Sequence, residues 1–234
     1  MKTIILAGGL GSRISEETET KPKPMVLLDD KPIIWHLMNI YAAQGFNEFI
    51  IATGYKSEII EDWVRNVVNP EWKVEAVNTG LNTMTGGRIR QCLLRYPGER
   101  MMATYGDGLG NVNLSALLNF HEEHQKMATL TAVRPPARFG VVDTLNGLVT
   151  HFGEKNQTDA GWINGGFFVL EPNIVGEIEN DSTILESEVL PKLVNKKELV
   201  AFHHDGFWQP MDTLRERNEL SKLAMSKNPP WLAL

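Results

Sequence analysis

Near the N-terminus stands Gly8-Gly9-Leu10-Gly11-Ser12-Arg13, directly after a short apolar run. Glycines let a backbone come close to a phosphate and aim N–H groups at it. The Ser12 hydroxyl and the Arg13 guanidinium add a donor and a positive charge. Lys23 follows within Lys21-Pro22-Lys23-Pro24-Met25. Prolines on both sides of Lys23 fix the backbone, so its ammonium can be aimed at an anionic ligand. A dinucleotide fingerprint would need glycine at position 14, where Ile14 stands, and the Gly-Lys-Ser/Thr of a Walker loop is absent. Two aspartates sit in ligand-like settings. Asp107 lies in Tyr105-Gly106-Asp107-Gly108, where glycines leave room for a ligand, and Asp212 in Gln209-Pro210-Met211-Asp212-Thr213. Each motif also has a plainer reading. The glycine run could be a tight turn, Asp107 a turn residue, and Asp212 a helix cap.

These groups need elements to hold them. Apolar runs at Thr3–Ala7, Phe49–Thr53, Lys73–Val77 and Met101–Tyr105 read as strands. Between them, amphipathic segments at Pro32–Gln44, Ser57–Val68 and through Arg88 to Leu94 read as helices, followed by another at Leu114 to about His124. This alternation predicts an α/β fold with a mostly parallel sheet flanked by helices. In such sheets ligands sit beyond the carboxyl ends of the strands, where the glycine loop falls. Past residue 127 the rhythm changes to strand-like runs at Thr129–Val133, Gly140–Asp143, Leu148–Phe152 and Gly166–Leu170. Asn146-Gly147 marks a hairpin. Helices at Ile184–Val194 and Leu214–Ala224 complete the chain. Without linkers or repeats, residues 1–234 read as one domain carrying mixed β hairpins toward its C-terminal side.

The net charge of −6 argues against general nucleic-acid binding, which needs a basic face. A small phosphorylated substrate needs only a local basic cluster. Cys92 is the lone cysteine, reads as an inert core thiol, and gives no sign of an oxidising compartment. No apolar stretch approaches the ~20 residues of a membrane span, and the N-terminal run is too short for a signal peptide. The cytoplasm is the expected location. His203-His204-Asp205 is expected to be structural, because neighbours on a strand face opposite ways. The run from Glu122 to Lys126 reads as solvated surface.

The glycine loop followed by Lys-Pro-Lys-Pro-Met resembles the sugar-1-phosphate nucleotidyltransferases. Thr83-Met84-Thr85-Gly86-Gly87-Arg88, Ile163-Asn164-Gly165-Gly166-Phe167-Phe168 and Gly206-Phe207-Trp208-Gln209-Pro210-Met211-Asp212-Thr213 narrow the likeness to the glucose-1-phosphate cytidylyltransferases. The resemblance covers almost the whole chain. It implies a Rossmann-like sheet, CTP and a sugar 1-phosphate (glucose 1-phosphate) as substrates, and a homo-oligomer. It also implies Mg²⁺ held by Asp107 and Asp212. Arg13, Lys23, Asp107 and Lys155 would be catalytic. Leu6, Ala7, Gly8, Gly9, Gly11, Ser12, Arg13, Lys23, Thr83, Thr85, Gly86, Arg88 and Gly106 would bind the nucleotide. Glu154, Lys155, Asn164, Gly165 and Trp208 would bind the sugar phosphate. Packing of the last helix is an equal reading for Trp208. The same chemistry with another nucleotide or acceptor, or a silent regulatory nucleotide-binding module, is the alternative.

Three departures stand out. The family's Glu-Lys-Pro is Glu154-Lys155-Asn156 here, and its Phe-Gly-Ala-Leu-Asp is Phe139-Gly140-Val141-Val142-Asp143. Val68 is joined to Trp72 by only Asn69-Pro70-Glu71, where family members carry a longer segment that reaches a neighbouring subunit.

Overall fold

The computed structural model describes residues 1–66, 69–135, 140–145, 147–154 and 161–233, without the side chains of 140–144 and 151–154. Strands β1 (Lys2–Ala7), β2 (Leu27–Leu28) and β3 (Lys31–Pro32) come first, with a short helix α1 (Ser15–Thr18) between β1 and β2. Next are α2 (Ile33–Ala42), β4 (Glu48–Thr53), α3 (Ser57–Asn66), β5 (Lys73–Asn78), α4 (Thr85–Arg95) and β6 (Met101–Tyr105). The second half holds β7 (Gly108–Gly110), α5 (Leu114–His124), β8 (Ala128–Val133), β9 (Gly140–Leu145), β10 (Leu148–Glu154), β11 (Ile163–Asn164) and β12 (Phe168–Leu170). It closes with α6 (Leu190–Lys196), β13 (Leu199–His204), β14 (Trp208–Pro210) and α7 (Leu214–Ala224).

The main sheet runs β11-β8-β12-β6-β1-β4-β5, with β13 also on β8. The pairs β6–β1, β1–β4, β4–β5 and β13–β8 are parallel, whereas β12 and β11 run antiparallel to their neighbours. The chain moves outward from β1 to β4 and β5, then returns to place β6 on the other side of β1. Order therefore reverses between β1 and β6, which is where an open α/β sheet leaves a crevice. Ile4, Ile5, Phe49, Ile50, Ile51, Met101 and Met102 are all buried, because helices cover both faces of these strands.

Several expectations need adjusting. The run expected to be strand from Gly166 is interrupted: β11 and β12 both pair with β8, and Gly166 and Phe167 between them adopt left-handed φ values of 80° and 46°. Phe167 is held there by burial and by stacking on Tyr41, with ring centroids 5.7 Å apart. The helix expected over Ile184–Val194 begins as a π-helical turn, Leu185–Val189, before α6. The ribbon β7–β14 is an addition to the sequence reading, and the strand expected at His203-His204 is the end of the edge strand β13. The antiparallel β9–β10 pair forms around the expected hairpin, though Asn146 itself lies outside the described residues. Cys92 is buried in the core.

Candidate active site

A cleft of about 580 Å³ opens at the carboxyl ends of β1 and β6. Its floor is Leu6, Ala7, Gly8, Gly9, Gly11, Ser12 and Arg13 from the end of β1, with Gly106 and Asp107 from the end of β6. Gly11 takes a left-handed φ of 67°, and an added Cβ would lie 2.8 Å from Thr18 Cγ2. Gly106 donates its N–H to Leu6 O at 3.0 Å, and a Cβ there would lie 2.7 Å from the same oxygen. Glycine at 106 thus lets β6 close on β1 and present Asp107 beside the glycine loop.

Lys23 enters from a 3₁₀ turn, Lys23–Met25, and is almost fully buried. Its ammonium donates to Asp107 Oδ2 at 2.5 Å and to Asp212 Oδ1 at 2.9 Å. Arg13 Nη1 donates to Asp212 Oδ2 at 2.6 Å. The two aspartates are far apart in the chain, and the ribbon β7–β14 brings them together. Pro210 pairs with Gly108, and Met211 N donates to Asp107 O at 2.8 Å. Asp212 is then fixed by α7. Thr213 and Glu216 form a reciprocal capping box, and Glu216 Oε2 also accepts the Asp212 N–H at 2.7 Å. The cap itself is Thr213, so the Asp212 carboxylate is not spent on capping and accepts instead from Lys23 and Arg13, although Asp212 is not itself among the residues that line the cleft.

The far wall is the start of α4, with Thr83 and Thr85 lining the cleft. A helix N-terminus favours anions. Thr85 Oγ1 donates to Glu186 Oε2 at 2.7 Å, and Tyr105 Oη donates to Glu186 Oε1 at 2.6 Å. Burial, followed by the Glu186 charge, pushes the Tyr105 phenol well above its ordinary range, so it stays a neutral donor. Asn164 Nδ2 donates to the same Tyr105 oxygen at 2.9 Å. Glu186 is a cleft residue that the sequence reading missed. It lies in Glu186-Ser187-Glu188, which carries no local mark separating it from a solvated helix face.

Other expected site residues take different positions. Gly86 is not on the cleft wall. Its missing Cβ would lie 2.7 Å from Thr183 O, so it lets α4 pack on the chain before α6. Arg88 does line the cleft, but it is almost fully buried, and its guanidinium donates to main-chain oxygens and to Thr79. Trp208 is buried in the core and donates its indole N–H to Gly165 O at 2.9 Å, so it packs the ribbon against the connection between β11 and β12. Gly165 is glycine because a Cβ would strike Val133. The Asn164 amide is used internally, on Tyr105 and on Gly166 N. None of Asn164, Gly165 and Trp208 lines this cleft. Glu154 ends β10 with its side chain outside the description, and Lys155 lies outside the described residues. His204 contacts Phe207 O, and the His203 ring lies tilted against Trp162 with centroids 4.4 Å apart. His121, next to the surface run, is fully buried. No helix among the described residues is long and apolar enough to cross a membrane.

Comparison with known proteins identifies the family and the fold. The family model for nucleotidyl transferases matches residues 2–216. The glucose-1-phosphate cytidylyltransferase of Salmonella typhimurium is 44% identical over 255 aligned positions, covering 99% of this chain and 98% of that one. HddC from Yersinia pseudotuberculosis is similar in structure, with a TM-score of 0.72, 23% identity, and coverage of 94% and 98%. A UDP-glucose pyrophosphorylase solved with UDP-glucose gives a TM-score of 0.73 at 18% identity, covering 95% and 97%. These two likenesses show the fold, a Rossmann-like sheet shared with nucleotidyltransferases. The chain, by family match and by full-length identity, belongs to the nucleotidyl transferases, in their glucose-1-phosphate cytidylyltransferase branch.

Proposed function

We propose that this protein joins CTP to a sugar 1-phosphate, glucose 1-phosphate in the first instance, giving a CDP-sugar and pyrophosphate. One observation carries the reading: two carboxylates remote in sequence, Asp107 and Asp212, meet on the buried Lys23 ammonium at the mouth of the glycine loop. The 44% identity to a named cytidylyltransferase supports CTP and glucose 1-phosphate as the pair.

In the reaction a sugar-phosphate oxygen attacks the α-phosphorus of CTP, forming one P–O bond while the bond to pyrophosphate breaks. No protein nucleophile is required. The chain has to bring two polyanions together and offset the charge that builds on the transferring phosphorus. The glycine loop offers N–H groups and the Ser12 hydroxyl to the nucleotide phosphates. Lys23 and Arg13 supply the positive charge. The donor set fits Mg²⁺, which prefers hard oxygen ligands and commonly takes one or two carboxylates with substrate phosphates. Asp107 and Asp212 would hold it, and when bound it would supply further charge stabilisation at the phosphates. Lys155 would grip the sugar phosphate. A homo-oligomer in the cytoplasm, with residues 1–234 acting as one nucleotidyltransferase unit, completes the proposal.

The test is pyrophosphate release with Mg²⁺ and glucose 1-phosphate, offering CTP, UTP, dTTP, ATP and GTP in parallel, with a chelator control. Release with CTP well above the others is expected. Release led by another nucleotide would refute the base, and release unaffected by chelator would refute the metal.

A further inference from the structure

We propose that Lys23 bars the divalent-cation position until a polyphosphate arrives: its ammonium bridges Asp107 and Asp212, and a phosphate on the glycine loop is what draws it off. The proposal rests on the reading of these two carboxylates as the Mg²⁺ ligands.

The ammonium stands between the groups the ion would need. Lys23 Nζ donates to Asp107 Oδ2 at 2.5 Å and to Asp212 Oδ1 at 2.9 Å. A second cation between the same two oxygens would meet it at contact distance, and like charges that close repel strongly in a partly buried site. Asp212 Oδ2 accepts in turn from Arg13 Nη1 at 2.6 Å, and Asp212 does not line the cleft. The two carboxylates and the two cations of this cluster balance in formal charge. A dication added alone would leave that cluster with an excess of positive charge. A polyphosphate added with the dication offsets the excess.

The ammonium has no easy way out to water. Only 9% of the Lys23 side chain is exposed. Its backbone is fixed between Pro22 and Pro24, and Val26 N donates to Lys23 O at 3.1 Å to close the turn. Leaving both carboxylates without a new anion would strand a buried charge, which is costly. The cleft can supply that anion. Lys23 lines it together with Gly11, and a Cβ on Gly11 would lie 3.1 Å from Lys23 Cβ, so the lysine stem runs against the glycine loop. A polyphosphate on the loop accepts the ammonium and releases Asp107 and Asp212 to the ion. Each ligand then raises the affinity for the other. Arg13 differs, because 69% of its side chain is exposed and it can yield Asp212 to solvent.

The experiment measures Mn²⁺ binding to the full chain by calorimetry, in phosphate-free buffer, for the wild type, Lys23→Met and Arg13→Met. Lys23→Met should bind Mn²⁺ at least about tenfold more tightly than the wild type, the size of one charge-assisted hydrogen bond that the ion no longer has to break. Adding Asp107→Asn to Lys23→Met should abolish the gain. Arg13→Met removes the same charge from the same carboxylate and should gain less. Unchanged or weaker Mn²⁺ affinity in Lys23→Met would overturn the proposal, as would a gain that survives Asp107→Asn. Equal gains in Lys23→Met and Arg13→Met would overturn it too, because general repulsion rather than occupation would then govern the ion. The wild type carries the test even if Lys23→Met does not fold. The NMR signal of the Lys23 ε-carbon should move when CTP is added without metal and stay in place with Mg²⁺ alone; the reverse pattern would overturn the proposal. If no variant binds Mn²⁺ alone and Mn²⁺ never strengthens CTP binding, the metal reading of Asp107 and Asp212 itself falls.

Discussion

Replacing Lys23 by Met tests the centre of the site while nearly preserving side-chain length. Lys23 is held by Pro22 and Pro24 and buried against Asp107 and Asp212. Its ammonium is the group both carboxylates share, and it lies at the mouth of the loop that would carry the phosphates. A unit charge about 4 Å from a transferring phosphoryl group is worth about 4 kcal/mol at an effective dielectric constant near 20. Mutational loss of one such stabiliser typically costs about 2.7–4 kcal/mol, or about 10²–10³ in kcat. The two scales agree, and Lys23→Met should lower kcat by about 10²–10³. The fold loses as well. Asp107 gives up a charge-assisted hydrogen bond worth about 1.5–3 kcal/mol, toward the lower end because its carboxylate is a quarter exposed. For a chain of this size each kcal/mol moves Tm by about 2–4 °C. The assay is pyrophosphate release at saturating CTP and glucose 1-phosphate, with CTP affinity measured separately and Tm followed by circular dichroism. Turnover within tenfold of wild type, with only KM altered, would refute the reasoning, because Lys23 would then contribute equally to ground and transition states.

Glu216→Ala removes the carboxylate that holds both the Thr213 and the Asp212 N–H, so it should cost about 1 kcal/mol in stability and also lower kcat. Thr213→Ala should cost similar stability and leave kcat nearly unchanged; equal kcat losses in the two variants would contradict the link from α7 to Asp212. Gly87→Ala would set a Cβ 2.6 Å from Asp181 Cα, an overpacking that should cost about 1–3 kcal/mol by urea unfolding; an unshifted midpoint would refute that contact. His121 is fully buried between Thr129 Oγ1 at 2.8 Å and Glu171 Oε1 at 3.1 Å, and burial holds its pKa below the ordinary value of 6.5. The unfolded chain therefore binds the proton more readily, so stability present above about pH 6.5 is lost as pH falls. Tm should drop between pH 7.5 and pH 5, and His121→Gln should flatten that drop.

Much of this was legible in the sequence because its signals are local. The strand–helix alternation reports burial on a period of two or 3.6 residues, and it placed β1, β4, β5, β6 and the helices between them. The glycine loop and the proline-flanked Lys23 are marked by backbone chemistry, so their residue types alone point to an anion. Glu186 has no such mark, and only packing of the π-helical turn on α4 puts its carboxylate between Thr85 and Tyr105. Arg88 was expected to face the base and phosphates. Its spacing places it on α4, but the path of its long side chain depends on Gly8 and Gly54 leaving space beneath the loop.

The sequence by itself determined the fold class and the glycine-rich turn at the end of β1, because glycine, proline and apolar periodicity restrict a backbone wherever they occur. Tertiary structure alone decided that Asp107 and Asp212 share one ammonium, that Trp208 holds the connection at Gly165, and that the Arg88 guanidinium bonds main-chain oxygens beside the cleft. Those facts depend on the pairing of β7 with β14 and on the reversal of strand order beside β1. Both join residues far apart along the chain, and no local pattern carries the register of such a contact.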